Sequence, residues 1–446
     1  MRDSTNWASL MLVLLLLWPC YNLVLAIFTW WRPRPAAISD HNGNSVPFWI
    51  VVPALNEERV VAATVRAALA LEEPRTPVRV LVVDDGSDDR TPEVLATIDD
   101  PRLYVLRREP PNARKGKGEA LNAAYTFIRD TARREGIFDR LIVGVIDGDG
   151  RGVSGMLGEV ASYFADPAVG GVQSRVRIHN RDRLLAFLQD LEFSCIANAS
   201  QILRDSVGSA ELGGNGQFVR LRSLATLGDA PWSSCLVEDL ELGLRMHLAG
   251  HRIRYASKAT ITQQGLVDVS RMVRQRARWA QGNLQCLRYV PKLIGTPTVS
   301  SLALLEFLYY LLAPWLIAPV SLLVLGLAAL TAAGLATGYD FDGFVATGPS
   351  GPLSIAIWLA ALIFPGVVWG LVHRIQNADE PLGRTLLVGL AYPGFLVIGI
   401  AATWRALGRH LTGRNSWAKT ERLVEEDDKD VGNEGNAVSC AESSVT

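Results

Sequence analysis

Val78-Arg-Val-Leu-Val-Val-Asp84-Asp85-Gly86-Ser87-Asp88-Asp89-Arg90-Thr91 is the stretch that decides the fold. Apart from Arg79 its first six residues are apolar, as in a strand buried on both faces, and the run stops at carboxylates and a glycine. Thr91 to Ile98 then reads as a helix. The same rhythm extends in both directions. Upstream, Phe48-Trp-Ile-Val-Val-Pro53 leads into a polar turn and the helix-compatible stretch Glu57 to Leu71. Downstream, Leu103 to Leu106, Arg140 to Ile146 and Val169 to Ile178 read as further strands, with helical Gly118 to Arg134 between them. Repeated strand, loop and helix predict an α/β domain, a mostly parallel sheet with flanking helices, whose ligands gather beyond the C-terminal strand ends. The polar clusters of this sequence fall at those ends.

Outside that region the chain changes character. Charged residues make up only 20% of the chain, and they concentrate between Arg32 and Lys292 and again after Arg405. Trp7 to Trp31 carries no charge, is long enough for a ~30 Å hydrocarbon layer, and is followed by Arg32 and Arg34. It reads as a transmembrane helix. A cleaved signal would stop sooner and carry its basic residues in front. Positive residues after the helix place the following domain in the cytoplasm.

Three more apolar zones follow, Leu302 to Ala336, Leu353 to Val372 and Leu386 to Ala402. Three full crossings would export the basic tail carrying Arg405, Arg409, Arg414, Lys419 and Arg422. The count closes if the first zone, interrupted by Pro314 and Pro319, holds an interfacial or re-entrant piece, or if the last segment does not cross fully. The expected plan is a membrane helix over 7–31, a catalytic domain over 46–292, membrane segments over 302–408 and a tail over 409–446, disordered from about 425. It describes a multi-pass protein of the plasma membrane in contact with membrane lipids.

A net charge of −1 gives no global attraction to nucleic acid. The five cysteines show no CxxC spacing, so neither a zinc site nor a disulfide framework is indicated, and a reducing compartment fits.

The motifs point to phosphate and sugar chemistry. Asp85, directly beyond a buried strand, is placed to accept hydrogen bonds from a ribose or a base, while Asp88 and Asp89 read better as turn or capping residues. Asp147-Gly148-Asp149-Gly150 sets two carboxylates one residue apart, a pattern that holds a hard divalent cation with diphosphate oxygens but also occurs in ordinary turns. Lys115-Gly116-Lys117-Gly118 offers ammonium groups on flexible backbone for a phosphate, or else a solvated basic loop. No GxGxxG or GxxxxGK[ST] motif is present, so dinucleotide and nucleotide-hydrolase readings lack support. Glu238-Asp239 opens a helical pattern; Asp239 is either a helix-end carboxylate or the base that takes an acceptor hydroxyl's proton. Gln275-Arg-Ala-Arg278-Trp279 offers a cation for a leaving diphosphate beside an indole for a sugar ring, or an interfacial anchor.

Taken in order, Pro53-Ala-Leu-Asn-Glu-Glu58, Asp84 to Thr91, Lys115 to Asn122, Asp147-Gly-Asp149, Gly213-Gly-Asn-Gly-Gln-Phe218, Glu238-Asp239 and Gln275 to Trp279 resemble the membrane-bound family 2 glycosyltransferases, which include cellulose, hyaluronan and poly-N-acetylglucosamine synthases. The resemblance covers Phe48 to Tyr289 and implies a GT-A fold inserted between transmembrane helices. By that likeness Ala54, Glu57, Asp85, Lys117 and Asp147 surround a UDP-sugar, Asp149 with Asp147 binds Mg2+ or Mn2+, and Asp239 is the general base. Gln275 and Arg278 would hold the diphosphate, while Trp279, Glu238 and the loop with Gly214, Asn215 and Gly216 would face the acceptor. The cysteine-containing version of that loop is absent, which counts against cellulose. Trp417-Ala-Lys-Thr-Glu-Arg422 resembles the ending of some bacterial glucosyldiacylglycerol synthases.

The leading expectation is an inverting β-glycosyltransferase that extends a polysaccharide and passes it across the membrane, with room for an accessory subunit. The alternative is a single-transfer glycolipid synthase using the same chemistry. A catalytically silent membrane scaffold would give Asp147, Asp149 and Asp239 no reason to coexist.

Overall fold

The structure, a computed structural model, describes residues 19–29, 45–337 and 351–413. The first part of the expected N-terminal span, the loop between the first two C-terminal apolar zones and the tail motif at Trp417 lie outside the described residues. A short apolar helix α1 (Pro19–Thr29) comes first. The α/β domain follows as β1 (Phe48–Ala54), α2 (Val61–Leu69), β2 (Val78–Asp84), α3 (Thr91–Ala96), β3 (Leu103–Arg107), α4 (Lys117–Arg134), β4 (Ile142–Val145), β5 (Arg151–Gly152), α5 (Met156–Tyr163) and β6 (Val169–Ile178). Its second half holds α6 (Leu184–Leu191), a π-helical turn (Glu192–Ala197), α7 (Asn198–Val207), β7 (Gln217–Arg220), α8 (Leu221–Ala225), α9 (Glu238–Leu248) and β8 (Arg252–Gln263). Then come α10 (Val269–Cys286), α11 (Val290–Gly295) and the long apolar helices α12 (Ser301–Thr337), α13 (Gly351–Asn377) and α14 (Leu382–Leu411).

One eight-stranded sheet runs β3-β2-β1-β4-β7-β6-β8-β5. Side chains alternate across each strand. In β1, Phe48, Ile50, Val52 and Ala54 join the core under α2 and α5, while Trp49 and Val51 join the core under α4. β2 divides the same way, with Val80 and Val82 on one side and Leu81 and Val83 on the other. Because both faces are buried, these strands read as continuous apolar runs rather than as alternating ones.

The pairings β1–β2, β1–β4, β2–β3 and β6–β8 are parallel, whereas β4–β7, β6–β7 and β5–β8 are antiparallel. This mixed half was not foreseen, since β7 and β8 were not read as strands. It decides where the loops go. β7 runs against β4 in the register Val145↔Gln217, so the chain entering β7 meets the chain leaving β4. β6 and β8 run with β4 and bring Gln263 and Gln264 out on the same edge.

Two helices are long and apolar enough to cross a membrane, Leu359–Asn377 and Leu382–Leu411. α12 is bent by 55° between Ser301–Ala313 and Trp315–Leu323, a break that falls at Pro314. α13 and α14 pack backbone to backbone: a Cβ on Gly366 would stand 2.0 Å from the Gly389 carbonyl oxygen. The hairpin holds the domain through α10, where Ala277 packs on Ala402 and Ala406 and Gln281 accepts a 2.9 Å hydrogen bond from Arg409 Nε.

Candidate active site

Four elements deliver polar groups to one edge. Beyond β1, the Ala54 carbonyl accepts the Asp85 N–H at 2.9 Å, and the Glu57 N–H donates to Thr91 Oγ1 at 2.8 Å. Beyond β2, buried Asp85 takes the Arg108 guanidinium on Oδ1 at 2.6 Å. Burial pushes the Asp85 carboxyl up, with Arg108 pulling the other way. Asp89 accepts the Thr91 N–H at the start of α3 at 2.9 Å, the capping role expected for it. Asp88 instead pairs with Asn56 and Arg114.

Beyond β4, the Asp147-Gly148-Asp149-Gly150 turn is clamped from three sides. Thr64 of α2 donates to the Gly148 carbonyl at 2.7 Å. Asn215 accepts the Asp147 N–H at 3.2 Å, and its amide donates to Gln263 at 2.9 Å. Asp149, almost fully buried, accepts the Gln264 N–H at 3.1 Å. Asn215 thus faces inward and braces the turn. Glu57 lies beside it, since a Cβ on Gly148 would come within 3.1 Å of the Glu57 carboxyl carbon. Thr64, Gln263 and Gln264 were not singled out in the sequence, where an isolated polar residue at an element end carries no signal of its partner.

The centre of the site is Lys117, the first residue of α4. Its Nζ lies 2.7 Å from Asp147 Oδ1, 3.0 Å from the Gly214 carbonyl and 3.4 Å from Glu238 Oε1. Lys115, by contrast, is exposed. The neighbouring Gly118 allows this approach, because a Cβ there would stand 2.1 Å from the Ser233 carbonyl oxygen of the segment leading into α9. Burial opposes the charge of Lys117, yet Asp147, Glu238 and Asp239 together hold it protonated, well above the usual lysine range.

Asp239 sits in the first turn of α9, keeps an edge open to solvent, and accepts the Leu240 N–H at 2.8 Å. Burial pushes its carboxyl up to about 7, and the Glu238 charge adds to this against the pull of Lys117. Gly214 joins the parts. The position of a Cβ on it lies 3.1 Å from Asp239 Oδ2, 3.1 Å from Lys117 Nζ and 3.8 Å from Asp147 Oδ2. Carboxylates remote in sequence therefore share one cleft. Gly214→Ala is expected to slow sugar transfer by roughly tenfold to a hundredfold, because reacting groups tolerate little displacement. The melting midpoint should stay near wild type, so steady-state rates set beside a melting curve check the point.

Gln275, Arg278 and Trp279 lie half-buried on α10. Trp279 packs on the cluster holding Val237 and Leu240, which flank Glu238 and Asp239. One face of its indole is covered by the Arg276 guanidinium, 4.6 Å from the ring centre.

Among the described residues, no group of three or more His, Cys, Asp or Glu side chains is arranged to hold a metal. The pair Asp147 and Asp149 fits a hard cation of the magnesium kind in donor type, since such an ion takes one or two carboxylates and completes its shell with phosphate and water.

A sequence model of the family described as "Glycosyltransferase like family 2" matches residues 46–282, more than half of the chain. A beta-monoglucosyldiacylglycerol synthase from Trichormus variabilis is 33% identical over 257 residues, 56% of this chain and 52% of that protein. A poly-beta-1,6-N-acetyl-D-glucosamine synthase from Staphylococcus aureus is 24% identical over 245 residues, 52% of this chain and 53% of that one. The chain thus matches about half the length of these curated relatives. Among solved structures, a mannosyltransferase from Pyrobaculum calidifontis in complex with GDP-Man and Mn2+ superposes with a TM-score of 0.56 at 19% identity, covering 89% of this chain and 99% of that one. That likeness establishes the GT-A-like fold.

Proposed function

The chain belongs to glycosyltransferase-like family 2, and on that premise we propose that it is a glycolipid synthase, moving one hexosyl group, glucosyl first, from a UDP-sugar to the hydroxyl of a membrane diacylglycerol. The observation that carries the transferase chemistry is the meeting of Lys117, Asp147 and Asp239 around Gly214. Asp239 takes the proton of the acceptor hydroxyl as its oxygen bonds to the anomeric carbon. The carbon–phosphate oxygen bond breaks on the opposite face, its electron pair leaves with UDP, and the configuration inverts. Asp147 and Asp149 would hold a divalent cation, Mg2+ or Mn2+, whose charge offsets that building on the departing diphosphate. Lys117 keeps the carboxylates apart from one another electrostatically. Asp85, Glu57 and Ala54 line the nucleotide end, and Arg278 with Gln275 lies on the diphosphate side. Trp279, Glu238 and the 213–216 loop border the acceptor.

The order of the two sequence readings is reversed here. Identity is higher to the glucosyldiacylglycerol synthase than to the polymer-forming synthase, 33% against 24%, and a lipid acceptor suits a cleft adjoining apolar helices. We place the domain on the cytoplasmic face of a multi-pass protein. Purified full-length protein incubated with UDP-[14C]glucose and dioleoylglycerol in mixed micelles should give a labelled lipid bearing one sugar. A water-soluble polymer formed without lipid would restore the polysaccharide reading. EDTA is expected to lower transfer at least about a hundredfold, with recovery on adding Mg2+ or Mn2+; full activity in chelator would remove the cation from Asp147 and Asp149.

A further inference from the structure

We infer that Glu211 is an acceptor-binding residue: its Oε1 holds an ester oxygen of the acylglycerol while the neighbouring hydroxyl faces Asp239. The inference rests on the lipid-acceptor reading above. Glu211 is 4% exposed, and its Oε2 takes Arg204 Nη1 at 2.9 Å. Among the described residues its Oε1 has no hydrogen-bond partner. A buried carboxyl oxygen without a partner is costly, which marks it as a place where a guest completes the bonding. Its backbone is fixed on both sides by Gln201, whose amide donates to the Glu211 carbonyl at 2.9 Å and accepts the Glu211 N–H at 3.2 Å. The side chain is therefore held in place by construction.

Its location selects the guest. Glu211 lies three residues before Gly214, the glycine that abuts Asp239, and Asp239 is among the charges acting on it. On the other side Arg204 bonds Glu306 of α12 at 2.7 Å and stacks 4.1 Å over the Tyr310 ring. Glu306 also accepts Ser209 Oγ at 3.0 Å. The opposite side of the same helix turns out Leu302, Leu305 and Tyr309, all exposed. Glu211 thus stands between the base and a helix whose outer surface is apolar. An acceptor approaching along that helix would pass Glu211 with its polar backbone before its hydroxyl reached Asp239. Burial raises the Glu211 carboxyl against the opposing pull of Arg204, so the group has a proton to donate. In an acylglycerol the strong acceptor next to the free hydroxyl is an ester carbonyl.

The experiment uses full-length protein in mixed micelles with UDP-[14C]glucose and two acceptors, dioleoylglycerol and its dialkyl ether analogue. Wild type should show a KM for the ether about tenfold above that for the ester, with the donor KM unchanged. Glu211→Leu should raise the diacylglycerol KM about tenfold and erase the preference between ester and ether. Glu211→Gln, whose amide also donates, should keep both near wild type. Equal KM values for ester and ether in wild type overturn the inference without any variant that might misfold. So does a Glu211→Leu protein that loses kcat at constant acceptor KM, the signature of a merely structural Arg204 partner. If wild type labels no lipid at all, the glycolipid reading itself has failed, an outcome distinct from either of these.

Discussion

Asp239→Asn is expected to cut sugar transfer by roughly a hundredfold to ten-thousandfold, the range over which a positioned general base acts. UDP affinity should change by less than about threefold, since the amide keeps the shape of the carboxylate and removes only its basicity. Stability should move in the opposite direction. The folded-state pKa of Asp239 is raised to about 7 by burial and by Glu238, above the ~3.9 of an unfolded chain. Below both values the group is protonated in either state and costs nothing. As pH rises toward 7 the unfolded chain ionises first, so stability is lost, and above pH 7 the whole penalty applies. The Asn variant escapes this. Its ligand-free melting midpoint should exceed that of wild type at pH 8, with the gap closing toward pH 4. A variant that transfers sugar at the wild-type rate would show that Asp239 is not the base, and a lower midpoint at pH 8 would show that its charge is not the burden inferred here.

Lys117→Met should be comparably severe but of a different kind. Lys117 stands between Asp147, Glu238 and Asp239. Without its charge these carboxylates repel one another inside a partly buried cleft, and each becomes harder to ionise. Removing one partner of a buried charge network is strongly destabilising, in the range of about 3–5 kcal/mol. Transfer should fall by at least about a hundredfold, UDP-sugar binding should weaken, and the melting midpoint should drop where that of Asp239→Asn rises. Calorimetric titration with UDP and a melting curve separate the two variants. Unaltered UDP binding together with an unaltered midpoint would mean that the contacts of Lys117 do not matter to the site.

Much of the first half of the domain was legible because its signals are local. β1 and β2 are continuous apolar runs ended by carboxylates, and α4 follows a glycine turn; neither needs knowledge of a distant residue. β7 was missed because Gln217-Phe-Val-Arg220 is too short for a periodic signal. β8 carried a readable one. Ile253, Tyr255, Ala259 and Ile261 are buried while Arg252 and Lys258 are exposed, a nearly alternating pattern broken where its register with β6 shifts.

Lys117 read as a phosphate-binding loop residue, yet in the folded chain it holds three carboxylates apart. Asn215, expected beside the acceptor, braces the Asp147 backbone. Glu211 carried no motif, because an unpartnered oxygen exists only once everything around it has been placed.

The sequence alone determined the residue types of the cleft, the α/β character of the domain and the apolar helices beside it, because apolar periodicity and short motifs are properties of neighbouring residues. Only the tertiary structure decided that Lys117, Asp147, Gly214 and Asp239 share one space. That meeting depends on an antiparallel β7 inserted between strands that otherwise run together, and strand direction in a sheet is set by long-range pairing, which no local stretch encodes.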